Sequence, residues 1–227
     1  MASRTRSATA STKGGAPAQE RELRAQGRKT MRKLLDAGRV VFEQRGYHAA
    51  RVDDVVKMAK TSHGTFYLYF SNKEDLFKAL AEDAMNEMSG LSDEIGAIAS
   101  DEDGRAALRA WIEHFYDVYV RHSTIIRAWT EGEIVDNDLG RQGQRLLGRL
   151  AETLAARIAD TDSTVADPDV AALACLAMLE RFTYLAQSRN IEFDREGMLD
   201  TLASVTHTGF FGGQPVAGRA RRLRRAR

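Results

Sequence analysis

Seven consecutive residues, TSHGTFY at positions 61–67, bring together side chains that form hydrogen bonds at short reach. Threonine and serine are short enough to let a backbone approach a nucleic acid, histidine and tyrosine bond at longer range, and glycine clears space between them. This is the chemistry of base-edge and phosphate recognition in a DNA groove. Thr61, Ser62, His63, Gly64, Thr65 and Tyr67 are the candidate contacts, with Arg51 ahead of them and Lys73 behind, where Lys73 suits a phosphate. Ser62 has two roles open to it, as the N-cap of a helix or as a base or phosphate contact. Phe66 and Phe70 recur at i and i+4 and fall on the opposite, core-facing side.

Other chemistry is poorly provided for. The five histidines are dispersed, and no HExxH, GxSxG or phosphate-binding glycine loop occurs. The sequence therefore predicts neither an enzyme nor a metal site, and it calls for no cofactor. His114 and His122 share one helix without a third ligand. Cys175 is the only cysteine, which excludes an intrachain disulfide, and its apolar setting AALACLAML reads as a buried small hydrophobe.

Helices must position the TSHGTFY segment. Strand-like alternation is scarce, the chain has three prolines, and apolar residues return at helical spacing almost throughout. The expected fold is all-α, with an N-terminal three-helix head and a larger C-terminal helical body. Leu34, Leu35, Val41 and Phe42 mark a helix over about 26–45, closed by Gly46. Short helices follow over Val52–Ala59 and about 62–69. A capping box at Ser71 and Glu74 opens the helix that joins head to body. Further helices are expected over about 104–121, 124–131, 138–160, 168–189 and from Asp194 to Phe210, with Asp167 and Pro168 starting the fourth of these. The domains expected are a basic N-terminal arm over 1–25, a head over 26–71, a body over 72–212 and a disordered Arg-rich tail over 213–227.

Lys and Arg total 33 against 32 for Asp and Glu, but the basic residues gather at both ends. A mobile cationic arm beside a DNA-reading head adds salt-dependent, sequence-independent affinity. No run is long enough to cross a bilayer, and the N-terminus lacks the apolar core of a secretory signal, so a cytoplasmic location is expected.

Taken together, VVFEQRGYHAARVDDV and GTFYLYFSNKEDLF resemble the DNA-binding domain of the TetR family of bacterial repressors, over about Arg28–Leu80. The chain departs from the usual family pattern at Arg51, Lys60, His63 and Leu68; Lys60 stands where a small residue, often Gly, is usual. The resemblance implies a dimeric repressor on a near-palindromic operator, released by a small, mostly apolar effector. It also implies dimerisation through the last two helices, for which Leu173, Leu176, Leu199 and Leu202 are candidates; burial within one subunit explains each equally well. For the effector, Trp111, Phe115, Tyr119, Trp129 and Phe182 offer an aromatic lining, and His114, Arg127 or Glu180 a polar anchor, with core packing as the alternative. The competing function is a ligand-binding or protein-interaction module of the same fold without tight operator recognition.

Overall fold

Among the residues that the structure, a computed structural model, describes (18–130, 137–188 and 191–212), the chain forms eight helices and no strand. They are α1 (Ala18–Ala49), α2 (Val52–Met58), α3 (His63–Tyr67), α4 (Lys73–Glu94), α5 (Glu102–Thr130), α6 (Asn137–Ala159), α7 (Pro168–Ser188) and α8 (Arg195–Phe210). The expectations for residues 1–17 and for the Arg-rich tail lie outside the described residues. Helix α1 begins at Ala18 and so takes in part of the expected arm.

Local chemistry explains most of the helix ends. Gly46 leaves the helical region at φ 72°, a conformation that glycine adopts without steric cost, and turns the chain at the foot of α1. The start of α4 lies one residue later than the expected Ser71–Glu74 box. Asn72 Oδ1 accepts from the Asp75 amide at 2.8 Å, while Asp75 Oδ2 accepts from the Ser71 amide at 3.0 Å. Glu74 is turned away to accept from the Tyr47 hydroxyl at 3.2 Å. Asp167 Oδ1 accepts from the amides of Asp169 and Val170, and Asp194 Oδ2 from that of Gly197, so both expected caps form.

One continuous α5 replaces the two helices expected over 104–121 and 124–131. Val118, His122 and Ile125 carry a single buried stripe, at spacings of four and three, straight through the expected break.

The head core joins Leu34, Val41 and Phe42 of α1 to Val55, Val56, Phe66 and Phe70. It does not close at residue 71, because Leu76, Phe77 and Leu80 of α4 and Ile125 of α5 belong to it. Gly38 permits the close approach of α1 to α4: a Cβ there would lie 2.7 Å from Leu76 Cδ2. The body core gathers Leu91, Leu108, Trp111, Phe115, Leu154, Leu176, Leu199 and Phe211 around a fully buried Cys175. Burial pushes the Cys175 thiol up to about 12. On the surface, Arg109 pairs with Asp200 at 2.7 Å and Arg195 with Asp117 at 2.8 Å, lashing α8 to α5. Among the described residues no helix is long and apolar enough to cross a membrane.

Candidate nucleic-acid interface and effector cavity

The turn between α2 and α3 decides how the candidate reading residues are presented. The Lys60 amide donates to Lys57 O at 3.2 Å and the Thr61 amide to Val56 O at 3.0 Å, the paired bonds of a Schellman C-terminus. This motif puts Lys60 at φ 49°, a left-handed conformation that favours glycine. Ser62 then caps α3, its Oγ accepting from the Thr65 amide at 3.1 Å and meeting Thr65 Oγ1 at 3.0 Å. The capping role is thus filled, with the hydroxyl still on the exposed side.

Beyond that cap the segment splits cleanly between core and solvent. Phe66 and Phe70 are buried, whereas His63, Gly64 and Tyr67 are exposed, with Thr61 and Thr65 half-buried between them. Space around Gly64 is open, since a Cβ would meet only Ser62 Oγ at 3.7 Å. His63 Nε2 lies 2.6 Å from Asp53 Oδ1. Arg51 is exposed at the start of α2, and its amide donates to Asp54 Oδ2 at 3.3 Å. Leu68, 81% exposed next to Tyr67, was not among the candidate contacts. Its signal lay in the spacing, because position 68 stands midway between the core residues Phe66 and Phe70 and so projects to the other side.

Lys73 has an intramolecular role as well. Its ammonium donates to the carbonyls of Tyr47 at 3.0 Å, His48 at 3.1 Å and Ala50 at 3.3 Å, and sits 4.7 Å from the Tyr47 ring centroid. An ammonium has three donors, and all three are engaged at the C-terminal end of α1. The residue latches α1 to α4, a role that its position after α3 did not reveal. Tyr47 completes the latch through Glu74; burial, and then that carboxylate, raise its hydroxyl to about 12.

In the body, α4, α5, α6 and α7 surround a cavity of about 700 Å³. Most of its wall is aliphatic, from Met85 and Met88 of α4 and Ile126 of α5 to Leu146, Leu150 and Leu176. Tyr119 and Glu180 are the sequence candidates that line it. The Tyr119 hydroxyl donates to Glu180 Oε1 at 2.9 Å, and burial, followed by the Glu180 charge, holds that hydroxyl in its neutral form. Arg181 lies close by, its Nε 3.9 Å from Glu180 Oε2.

The other candidates fall elsewhere. Trp111 donates from Nε1 to Leu91 O at 2.9 Å and packs with Phe115, 5.8 Å between centroids, so both serve the core. His114 Nδ1 pairs with Glu94 Oε2 at 2.5 Å on the surface, and Phe182 packs on Phe193. The Trp129 side chain lies outside the described residues. Among the proposed dimer contacts, Leu176, Leu199 and Leu202 are buried inside one subunit, because the faces that carry them are already covered by its own core, and Leu173 is exposed at the cavity wall. The exposed large apolar residues on these two helices are Val170, Leu173, Leu185 and Val205. Among the described residues no group of three or more His, Cys, Asp or Glu is placed to hold a metal ion.

The family model for bacterial regulatory proteins of the tetR family matches residues 34–80. The chain is 36% identical over 108 residues to the uncharacterized HTH-type transcriptional regulator YvdT of Bacillus subtilis, covering 47% of this chain and 54% of that one. It is 36% identical over 92 residues to the HTH-type transcriptional activator FasR of Mycolicibacterium smegmatis, covering 40% of each. These alignments span about half, or less, of the relatives' own length. In fold, the MbdR regulator of Azoarcus sp. CIB superposes with a TM-score of 0.62 at 18% identity, over 79% of this chain and 98% of that one.

Proposed function

Because the chain belongs to the TetR family of bacterial regulatory proteins, a family of non-catalytic helix-turn-helix DNA-binding regulators, we propose that it is a dimeric repressor released from its operator by a mostly apolar effector. The N-terminus of α3 enters the major groove, with Thr61, Ser62, His63, Gly64, Thr65 and Tyr67 facing the bases and nearby phosphates and Arg51 reaching the backbone from α2. Leu68 adds an apolar contact beside Tyr67, of the kind a thymine methyl accepts. Two copies, paired through the exposed apolar residues of α7 and α8, set the reading helices about one helical turn of DNA apart, roughly 34–36 Å.

One observation carries the switch: α4 is a wall of the cavity at one end and part of the head at the other. Ala81, Ala84, Met85 and Met88 line the cavity. Toward the N-terminus of the same helix, Lys73 holds the end of α1, Glu74 holds Tyr47, and Leu76 fills the groove at Gly38. An effector that displaces the C-terminal half of α4 therefore moves the head with it. Two half-sites fixed in rigid DNA penalise that movement, which lowers operator affinity.

Fluorescence anisotropy of the purified chain on its own upstream intergenic DNA, titrated with salt against a scrambled duplex, tests the reading. Preference for one near-palindromic fragment, lost in Tyr67→Ala with the melting temperature unchanged, is the expected result. Absence of any sequence preference would favour a ligand-binding module that does not read an operator. The sign of regulation follows from in vitro transcription with and without the protein.

A further inference from the structure

A second hollow, of about 540 Å³, opens between α4 and α6 and shares Met85 and Leu146 with the apolar cavity. Its character is different. Arg145 and Arg149, one helical turn apart on α6, line it together with Asn86 and Ser89 of α4, and two guanidiniums stand against the single carboxylate of Glu152. Arg149 donates to Ser89 Oγ at 3.1 Å, across the gap to α4. The apolar cavity has no such excess of positive charge, since its Arg181 is offset by Glu180.

We propose that the effector is an anionic amphiphile whose hydrocarbon part occupies the apolar cavity and whose carboxylate or phosphate head lies in the α4–α6 groove on Arg145 and Arg149. This rests on the ligand-released reading above. An ionised head is costly to bring into the apolar cavity, and the Glu180 carboxylate repels it there, so it stays where solvent and cations meet it. Guanidiniums bind carboxylates and phosphates through paired, charge-assisted hydrogen bonds. The shared wall allows a continuous path, because the unbranched Met85 side chain adapts its rotamer readily. A head that draws Arg149 off Ser89 also removes a tie between α6 and α4, the helix that carries the switch.

The test is calorimetric binding of decanoate, decyl phosphate and decanol to the full chain, to Arg145→Ala/Arg149→Ala and to Gly143→Leu, whose larger side chain enters the apolar cavity. The expected result is that both anions bind more tightly than decanol, that the double variant weakens them about tenfold or more while leaving decanol unchanged, and that Gly143→Leu weakens all three. The ratio of decanoate to decyl phosphate affinity distinguishes the two head chemistries. Equal binding of acid and alcohol, or no effect of the double variant on the anions, would overturn the head assignment. Anion binding that needs the two arginines but leaves operator affinity untouched would overturn the effector reading instead and spare this one. No binding of any of the three probes to the full chain would overturn the head assignment, while the operator titration still decides the ligand-released reading.

Discussion

His63, the first residue of α3, is tied to Asp53 in the first turn of α2, with 2.6 Å between Nε2 and Oδ1. The pair orients the imidazole from α2 and sets a carboxylate next to the surface proposed to meet phosphates. Replacement of Asp53 by Asn relieves that repulsion and loosens the ring. Affinity for scrambled DNA should rise while preference for the operator narrows severalfold, read as the ratio of the two dissociation constants at fixed salt. An unchanged ratio would mean that His63 does not read bases.

Lys73→Met breaks the latch between α1 and α4. Hydrogen bonds to a charged donor contribute about 1.5–3 kcal/mol together with the group they satisfy, so the denaturant midpoint should fall by a corresponding amount. Leu68→Ala makes the opposite case: it should weaken DNA binding and leave the midpoint in place. If Lys73→Met weakened DNA binding without lowering stability, the latch assignment would be wrong.

At Lys60 the left-handed backbone costs a side-chain-bearing residue about 1 kcal/mol. Lys60→Gly should therefore raise thermal stability by up to that amount, the gain being reduced by the extra freedom of glycine in the unfolded chain. Equilibrium denaturation measures it, and a lower midpoint would contradict the strain.

Gly38→Ala places a methyl 2.7 Å from Leu76 Cδ2. Overpacking of a filled core typically costs 1–3 kcal/mol, about that much here, and the strain falls on the α1–α4 contact. Stability should drop, and the smaller Leu76→Val partner should recover part of the loss. Equal losses in the presence and absence of Leu76→Val would show that the two side chains do not meet.

His122 of α5 is buried with Nε2 3.3 Å from Glu87 Oε2 of α4. Burial holds its ring below the ordinary 6.5, opposed by Glu87 and Asp83 and assisted by Arg39. As pH falls below 6.5 the unfolded chain takes up this proton first, so stability declines there; above 6.5 the residue is neutral in both states and contributes no slope. Glu87 acts at lower pH. Burial pushes its carboxyl up, but His122 and Arg121 together outweigh burial and hold it below 4.5, so its contribution is present above 4.5 and is lost as pH drops through the folded value. A melting-temperature profile should show a decline below pH 6.5 that becomes shallower in His122→Phe.

Periodicity and turn chemistry made the head legible: Phe66 and Phe70 at i and i+4, Gly46 at a helix end and Asp194 at a cap stand where their spacing puts them. The body was harder, because helical spacing marks a buried face without saying what covers it. Leu199 and Leu202 read as an interface stripe, yet α8 turns that stripe into its own subunit. Trp111 and Phe115 read as cavity lining, but they lie deeper, while aliphatic residues of α6 and α7 with no distinguishing local pattern form the wall. The latch at Lys73 was illegible for a related reason: a cation just after α3 suggests DNA, and only the long-range approach of the α1 C-terminus shows three carbonyls within its reach.

Cys175 lies at the centre of the body core, fully buried and with its thiol held neutral. An alkylating reagent can reach it only when the surrounding helices part. The lone thiol is thus a built-in clock, and its labelling rate in native buffer reports how often the body opens and how far a bound effector slows that opening.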